Sequence, residues 1–405
     1  MREREAGGMR KMMTWLRNRL HRRHLVYLVT IAASVLFLWL GNAYATEGMY
    51  IFDGLDNSEV VTAKVTQIWA RDARPLQVGG QILETVTVYF EAEITGGPRK
   101  GKTVGAEQIN DPFSPVAFRE VERGDRVTLV HYQRTEDDLV WIWQEYLRLR
   151  PLAALGGLFV LLLLAFSGKQ GFHTIVSLIF TCAAIFAVFV PLILSGHNIY
   201  ASTLAVCSYV TVMTLALISG CNYKSLSAAV GCLGGMLACG VIVLVMGNML
   251  GLTGMLDEES AFLLYINPDN PLDLKAIIFS GILIGALGAT MDVAMSMASA
   301  LCELHELSPE LGFRALVRSG FNIGRDMIST MSNTLILAYI GGSLSISLLL
   351  IVYANSITEL LNREMIVVEI LQALAGSIGL LLAAPLTAVF ASFILTRKQK
   401  KGFEG

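Results

Sequence analysis

The residue type best suited to chemistry lies inside an apolar stretch. Residues 281–300 read GILIGALGATMDVAMSMASA and carry Asp292. A carboxylate surrounded by hydrocarbon is costly, so it marks a functional group or a specific partner contact. Gly281, Gly285, Gly288, Asp292, Ser296 and Ser299 recur at intervals of four, three, four, four and three, which puts them on one helical face. Glycines let a second helix approach closely, so Asp292 is expected to face that neighbour or a water-filled cleft. A second stretch, GRDMISTMSNTLILAYIGG over residues 324–342, sets Asp326, Thr330 and Asn333 on one face at i, i+4 and i+7. Asn333 is expected at the depth of Asp292. Asp292, Asn333, Thr330 and Ser296 together have the oxygen chemistry to bind a small cation or relay a proton. The competing reading makes Asp292 a hydrogen-bonded packing contact. Arg325 and Asp326 are expected near the membrane interface as caps, anchors or partners of the site. Gly231 and Gly235 form a GxxxG pair, with Cys239 one turn on, and are expected to serve helix packing.

The elements that position these residues follow from composition. Of 405 residues, 54% are hydrophobic and 16% charged, against roughly 25% charged in soluble domains. Mean hydropathy is +0.57. These values exclude a water-soluble globule, a disordered chain and a disulfide framework. A bilayer crossing needs about 20 mostly apolar residues. Eight stretches qualify: 25–44, 152–167, 172–194, 200–218, 228–250, 276–297, 331–353 and 367–395. The last carries Pro385 and is expected to tilt or kink.

Basic residues abut the ends. Arg2, Arg4, Arg10, Lys11, Arg17, Arg19, Arg22 and Arg23 precede the first stretch, and Arg397, Lys398, Lys400 and Lys401 follow the last. Such runs next to apolar segments orient a chain in a membrane. With the N-terminus inside, Lys169, Lys224, Arg314, Arg318 and Arg325 fall in inner loops, and the short outer loops carry Lys275 and Arg363. Both termini are then cytoplasmic. Ala43-Tyr44-Ala45 resembles a signal-peptidase site after a basic region, so the first stretch is either a retained anchor or a cleaved signal.

Residues 46–150 read as β-structure. Val86, Val88, Phe90, Ala92 and Ile94 alternate with polar neighbours, the period of a half-buried strand. Thr95-Gly96-Gly97-Pro98 breaks the chain before a return at 102–108, and 60–69, 126–132 and 139–143 complete five strands. Five short strands predict a small OB-like barrel, here extracytoplasmic. It lacks a basic stripe interleaved with aromatics, so nucleic acid is not an expected partner. Trp141 and Trp143 share a strand face and are expected in its core.

The fold class is therefore an all-α polytopic bundle of eight transmembrane helices with a small extracytoplasmic barrel. Its parts are a basic cytoplasmic N-terminus at 1–24, a first helix at 25–45, the β domain at 46–150, a seven-helix membrane domain at 151–396 and a basic tail at 397–405. Residues 300–328 are expected to form an amphipathic helix pair broken at Ser308-Pro309. The loop 254–275 is rich in acids, including Asp257, Asp269 and Asp273, but lacks EF-hand spacing. The six cysteines show no CxxC, and His305 stands between Glu303 and Glu306 on a solvated helix, so no metal site and no cofactor are expected. HExxH, Walker A, GxSxG and dinucleotide motifs are absent, and the chain is not expected to be an enzyme.

Residues 288–304 (GATMDVAMSMASALCEL), 324–342 and the glycine-rich YKSLSAAVGCLGG at 223–235 resemble the YibE/F family of bacterial membrane proteins. The resemblance covers about 150 to 396 and implies a plasma-membrane topology rather than a reaction. In arrangement, spans six to eight are also similar to the RND proton-driven transporters, which place an Asp in a glycine-rich helix followed by an amphipathic inner loop. That likeness implies a proton-coupled carrier. The chain departs from it in its eight spans, its lack of a second repeat and its OB-like outer domain. Expected partners are the lipid bilayer, a proton or small ion, and an envelope protein or a second copy of the chain.

Overall fold

The structure is a computed structural model of the chain and describes residues 25–47, 60–78, 81–97, 99–111, 119–135, 138–265, 271–354 and 356–403. The basic run at 1–24 and loop residue Asp269 lie outside the described residues. The chain divides into two compact units, residues 51–165 and residues 1–50 with 166–405.

The first unit is a five-stranded closed barrel: β1 (Val60–Val78), β2 (Gln81–Gly96), β3 (Thr103–Asn110), β4 (Arg126–Thr135) and β5 (Asp138–Tyr146). The strand order is β1-β2-β3-β5-β4, closed by β1 pairing β4 from Val60↔Val130 to Lys64↔Arg126. All pairs are antiparallel except β3 and β5, which run parallel at Ala106↔Trp141. Register shifts in β1 near Thr62, Val65 and Ile68 add the coil that closure of so few strands requires. The alternation in β2 does its expected work: Val88, Phe90, Ala92 and Ile94 are buried, packed with Val61, Val65, Leu129, Trp141 and Trp143. The β1–β2 hairpin extends beyond the expected strand ends, pairing as far as Val78↔Gln81.

Inside this apolar core Gln108 is fully buried. Its amide donates to the Arg119 carbonyl at 3.0 Å and its oxygen accepts from Val121 N–H at 2.9 Å. A single side chain thus clips the segment before β4 onto β3. Beside it, Arg71 makes a two-pronged contact with Glu120 at 2.9 Å.

The second unit is helical. Its elements are α1 (Leu25–Thr46), the end of α2 (Leu149–Ala183), a π-helical stretch at Ala184–Phe189, α3 (Val190–Leu194), α4 (Ile199–Ser219), α5 (Tyr223–Met249), α6 (Glu258–Tyr265), α7 (Leu274–Leu307), α8 (Phe313–Gly342), α9 (Leu344–Tyr353), α10 (Ile357–Asn362) and α11 (Glu364–Phe403). Among the described residues six helical segments are long and apolar enough to cross a membrane, or seven if α8 and α9, a pair bent by 62°, make one span. This differs from eight separate spans at two places, and glycine stands at both. Leu149–Leu194 continues without an intervening loop but kinks at Gly168, which leaves helical geometry at φ 53°. The expected span 331–353 crosses Gly341-Gly342-Ser343, where α8 stops and α9 departs at its new angle. The expected break at Ser308-Pro309 falls between α7 and α8, and α11 continues through Pro385.

Helix α11 is the hub, packed on α5, α7 and α8. Its small residues Ala375, Gly379, Ala383, Ala384 and Ala388 are buried or meet neighbouring backbone, which favours dispersion contacts where no hydrophobic force operates between lipid-solvated helices. Hydroxyl pairs add polar links: Thr203 to Ser280 at 2.7 Å joins α4 to α7, and Ser177 to Thr214 at 2.9 Å joins α2 to α4. At the N-terminus of α11 the Glu364 carboxylate accepts from the N–H groups of Thr253 and Gly254, both at 2.6 Å, and from the Thr253 hydroxyl at 2.7 Å. Gly254 is needed there: its φ is +92° and a Cβ would overlap Leu274. Cys207, Cys232 and Cys239 are buried as expected for helix thiols, whereas Cys182 and Cys221 are exposed on this chain.

Candidate functional site

Asp292 sits in α7, about two-thirds of the way along the only stretch of that helix that combines apolar length with glycines. The opposite faces of α7 are packed: Leu283, Leu287, Met291 and Ala294 join the core formed with α4, α5 and α11, and Val293, Met297 and Leu301 join a cluster with α11. Gly281, Gly285, Gly288, Asp292 and Ser296 remain as one exposed stripe, with Ser299 half-buried at its end. Among the described residues Asp292 forms no hydrogen bond and no ion pair.

The packing of α7 on α8 fixes what lies across from it. A Cβ at Gly320 would stand 3.3 Å from Leu301, one at Gly324 would press on Met297 at 2.5 Å, and one at Gly285 would stand 3.0 Å from the Tyr339 hydroxyl. The helices are therefore antiparallel, and Asp292 falls between the Met297–Gly324 and Gly285–Tyr339 contacts. The part of α8 between Gly324 and Tyr339 carries Thr330 and Asn333. Both are exposed, as are Arg325, Asp326 and Ser329. Thr330 donates to its own helix, to the Asp326 carbonyl at 3.1 Å. No hydrogen bond joins Asp292 to Asn333 or Thr330 among the described residues, and Arg325 and Asp326 form no ion pair with each other there. Asp292, Thr330 and Asn333 thus lie on exposed faces of two packed antiparallel helices.

The glycines separate into two groups. Gly231 and Gly235 lie against α11: a Cβ at Gly231 would overlap Thr387, and one at Gly235 would stand 2.5 Å from the Gly379 carbonyl oxygen. Gly281 and Gly288 meet nothing within 4 Å among the described residues. On that face the expected close approach is made at Gly285, by Tyr339 and Gln372, and among the described residues not at Gly281 or Gly288.

A second polar cluster escaped the sequence reading. Tyr339 of α8 and Gln372 of α11 both reach the space over Gly285, at 3.0 and 3.5 Å from where its Cβ would be. Glu369, one turn before Gln372, lines one cavity with Tyr339 and Ser343 at the α8–α9 bend. A carboxylate two residues inside the expected span 367–395, with an amide at i+3, was visible in the sequence; averaging hydropathy over the span hid it. No group of His, Cys, Asp and Glu that could hold a metal is found among the described residues.

Long apolar helices, polar groups held between them and a barrel on a separate unit define a multi-pass membrane protein. The YibE/F-like protein family model matches residues 155–397, and the chain belongs to that family. The match contains Asp292, Thr330, Asn333 and both glycine groups. No curated protein and no solved structure matches the chain.

Proposed function

We propose that this YibE/F-like protein is a secondary transporter or ion-coupled membrane machine in which Asp292 takes up and releases a proton or small cation, with Ser296, Thr330 and Asn333 as its oxygen partners. One observation carries this reading: an exposed carboxylate without a hydrogen-bond or ion-pair partner among the described residues, on a membrane-length helix. A charge facing lipid is costly, so in this reading a water- or substrate-filled cleft opens beside Asp292. The protein acts without covalent catalysis and is not an enzyme.

The topology that serves this function is eight crossings of the plasma membrane with both termini cytoplasmic. The break at Gly168 divides a 46-residue run that is more than twice the length of about 20 residues one crossing needs, and the bent α8–α9 pair supplies another. The barrel then stands outside the membrane. Its closed five-strand order with a parallel β3–β5 contact supports an OB-like reading, and a partner-binding role.

The open space over Gly281 and Gly288 favours a second reading, in which an envelope protein or a second copy covers this face and Asp292 secures the assembly without transport.

A hydrophobic carbodiimide, which adds to neutral carboxyl groups reachable from apolar surroundings, separates the two. With the protein in liposomes, the first reading expects Asp292 to be modified, as mapped by peptide mass spectrometry. A folded protein unmodified at Asp292 contradicts an open, protonatable site.

A further inference from the structure

The bend between α8 and α9 leaves a cavity of about 290 Å³ bounded by α11. Its walls are Ile336, Ile340, Ile366, Ile370, Ala373 and Leu374, and its polar groups are Tyr339, Ser343, Ser347 and Glu369. No lysine or arginine lines it. Arg363, the cation just before α11, is already paired with Glu359 at 2.9 Å. Glu369 is half-buried and lines the cavity together with the buried Ser343. The Ser343 hydroxyl donates its proton to the Tyr339 carbonyl at 3.0 Å, so that proton does not serve the carboxylate, which lies beside the point where the span breaks. Broken membrane helices are where transporters bind their ligands, because the interruption frees backbone and side-chain polar groups at membrane depth.

We infer that this cavity is a binding site for an organic cation, an ammonium group on an apolar body, with Glu369 as its counter-charge and Tyr339 as its aromatic wall. Size excludes a bare ion as the natural occupant: the space is several times that of a water molecule, about 30 Å³. An aliphatic pocket with one convergent carboxylate and one aromatic ring selects a weakly hydrated cation over an anion or a sugar. Two sources share this chemistry, a water-soluble ammonium compound and the headgroup of an aminophospholipid whose chains follow the exposed Ile340, Ile370 and Leu374. The site is distinct from Asp292 and does not depend on proton coupling there.

The test uses the full chain purified in a neutral maltoside detergent. Benzyltrimethylammonium is titrated calorimetrically, with benzyl alcohol as the uncharged control. In parallel, native mass spectrometry measures retention of phosphatidylethanolamine against phosphatidylglycerol. The variants are Glu369→Gln, Glu369→Asp and the cavity-filling Ala373→Phe, each checked for monodispersity, with Asp292→Asn as a control. Saturable binding of the ammonium probe, or preferential retention of phosphatidylethanolamine, is expected in the wild type and in Asp292→Asn. Binding is expected to weaken at least tenfold in Glu369→Gln and Ala373→Phe and to persist in Glu369→Asp. Which probe binds identifies the source. Binding of neither probe, or binding that Glu369→Gln and Ala373→Phe leave unchanged, overturns the inference. Should Glu369→Gln fail to fold, Ala373→Phe and Glu369→Asp decide alone. Loss of binding in Asp292→Asn would overturn the independence of the two sites.

Discussion

Gly235 in α5 and Gly379 in α11 meet backbone to backbone: a Cβ at Gly235 would stand 2.5 Å from the Gly379 carbonyl oxygen, and one at Gly379 would stand 3.0 Å from the Gly235 carbonyl oxygen. Nothing at this crossing is flexible enough to yield. Gly235→Leu is therefore expected to force α5 and α11 apart and lower stability by about 3 kcal/mol or more. Gly281→Ala, where the space is open, is expected to leave the same quantity unchanged. Thermal melts of the two variants in one detergent check the contrast; equal melting temperatures would contradict it.

Gln108 uses both ends of its amide to hold the chain at Arg119 and Val121. Gln108→Leu fits the same space but strands the buried Val121 N–H, while the Arg119 carbonyl keeps the Tyr146 hydroxyl at 2.6 Å. Each unpaired buried group costs about 1–3 kcal/mol, and the loss is expected to appear locally. Faster hydrogen exchange at the Val121 amide, with the helices unaffected, is the predicted signature.

The Arg71 guanidinium beside Glu120 holds that carboxyl below the usual carboxylate range, against the smaller opposing effect of burial. A folded-state value depressed in this way contributes stability that is present above the unfolded value, about 4.3. It is lost as pH falls through the lower folded value. The difference in melting temperature between wild type and Glu120→Gln is expected to be small at pH 7 and to vanish on acidification. A difference that grows as pH falls would contradict the sign. Both side chains are largely exposed, so the effect is modest and salt-sensitive.

The barrel was legible in the sequence because period-two alternation at Val88, Phe90, Ala92 and Ile94 reports one buried face directly. Helix counts were legible only in part. Hydropathy crosses Gly168 and Gly341-Gly342 without a change in sign, whereas the backbone breaks there, since glycine loses apolar contact and helical preference together. The two glycine patterns looked alike along the chain. What separates them is the third helix: α11 offers Gly379, Ala383 and Thr387 to Gly231 and Gly235, and among the described residues nothing lies within 4 Å of where a Cβ at Gly281 or Gly288 would stand. Asp292 could be picked out as a lone charge in an apolar helix. Glu369 was equally visible as a charge inside an apolar stretch, but the cavity it shares with Ser343 forms only through the 62° bend.

The central claim concerns the Asp292 carboxyl, and proton movement across a sealed membrane tests it most directly. The purified protein is reconstituted in liposomes containing a pH-sensitive dye, a membrane potential is imposed, and wild type is compared with Asp292→Asn. The account predicts a potential-driven change of internal pH in the wild type that Asp292→Asn reduces at least tenfold while the variant remains folded. Equal proton flux in the two proteins would contradict it.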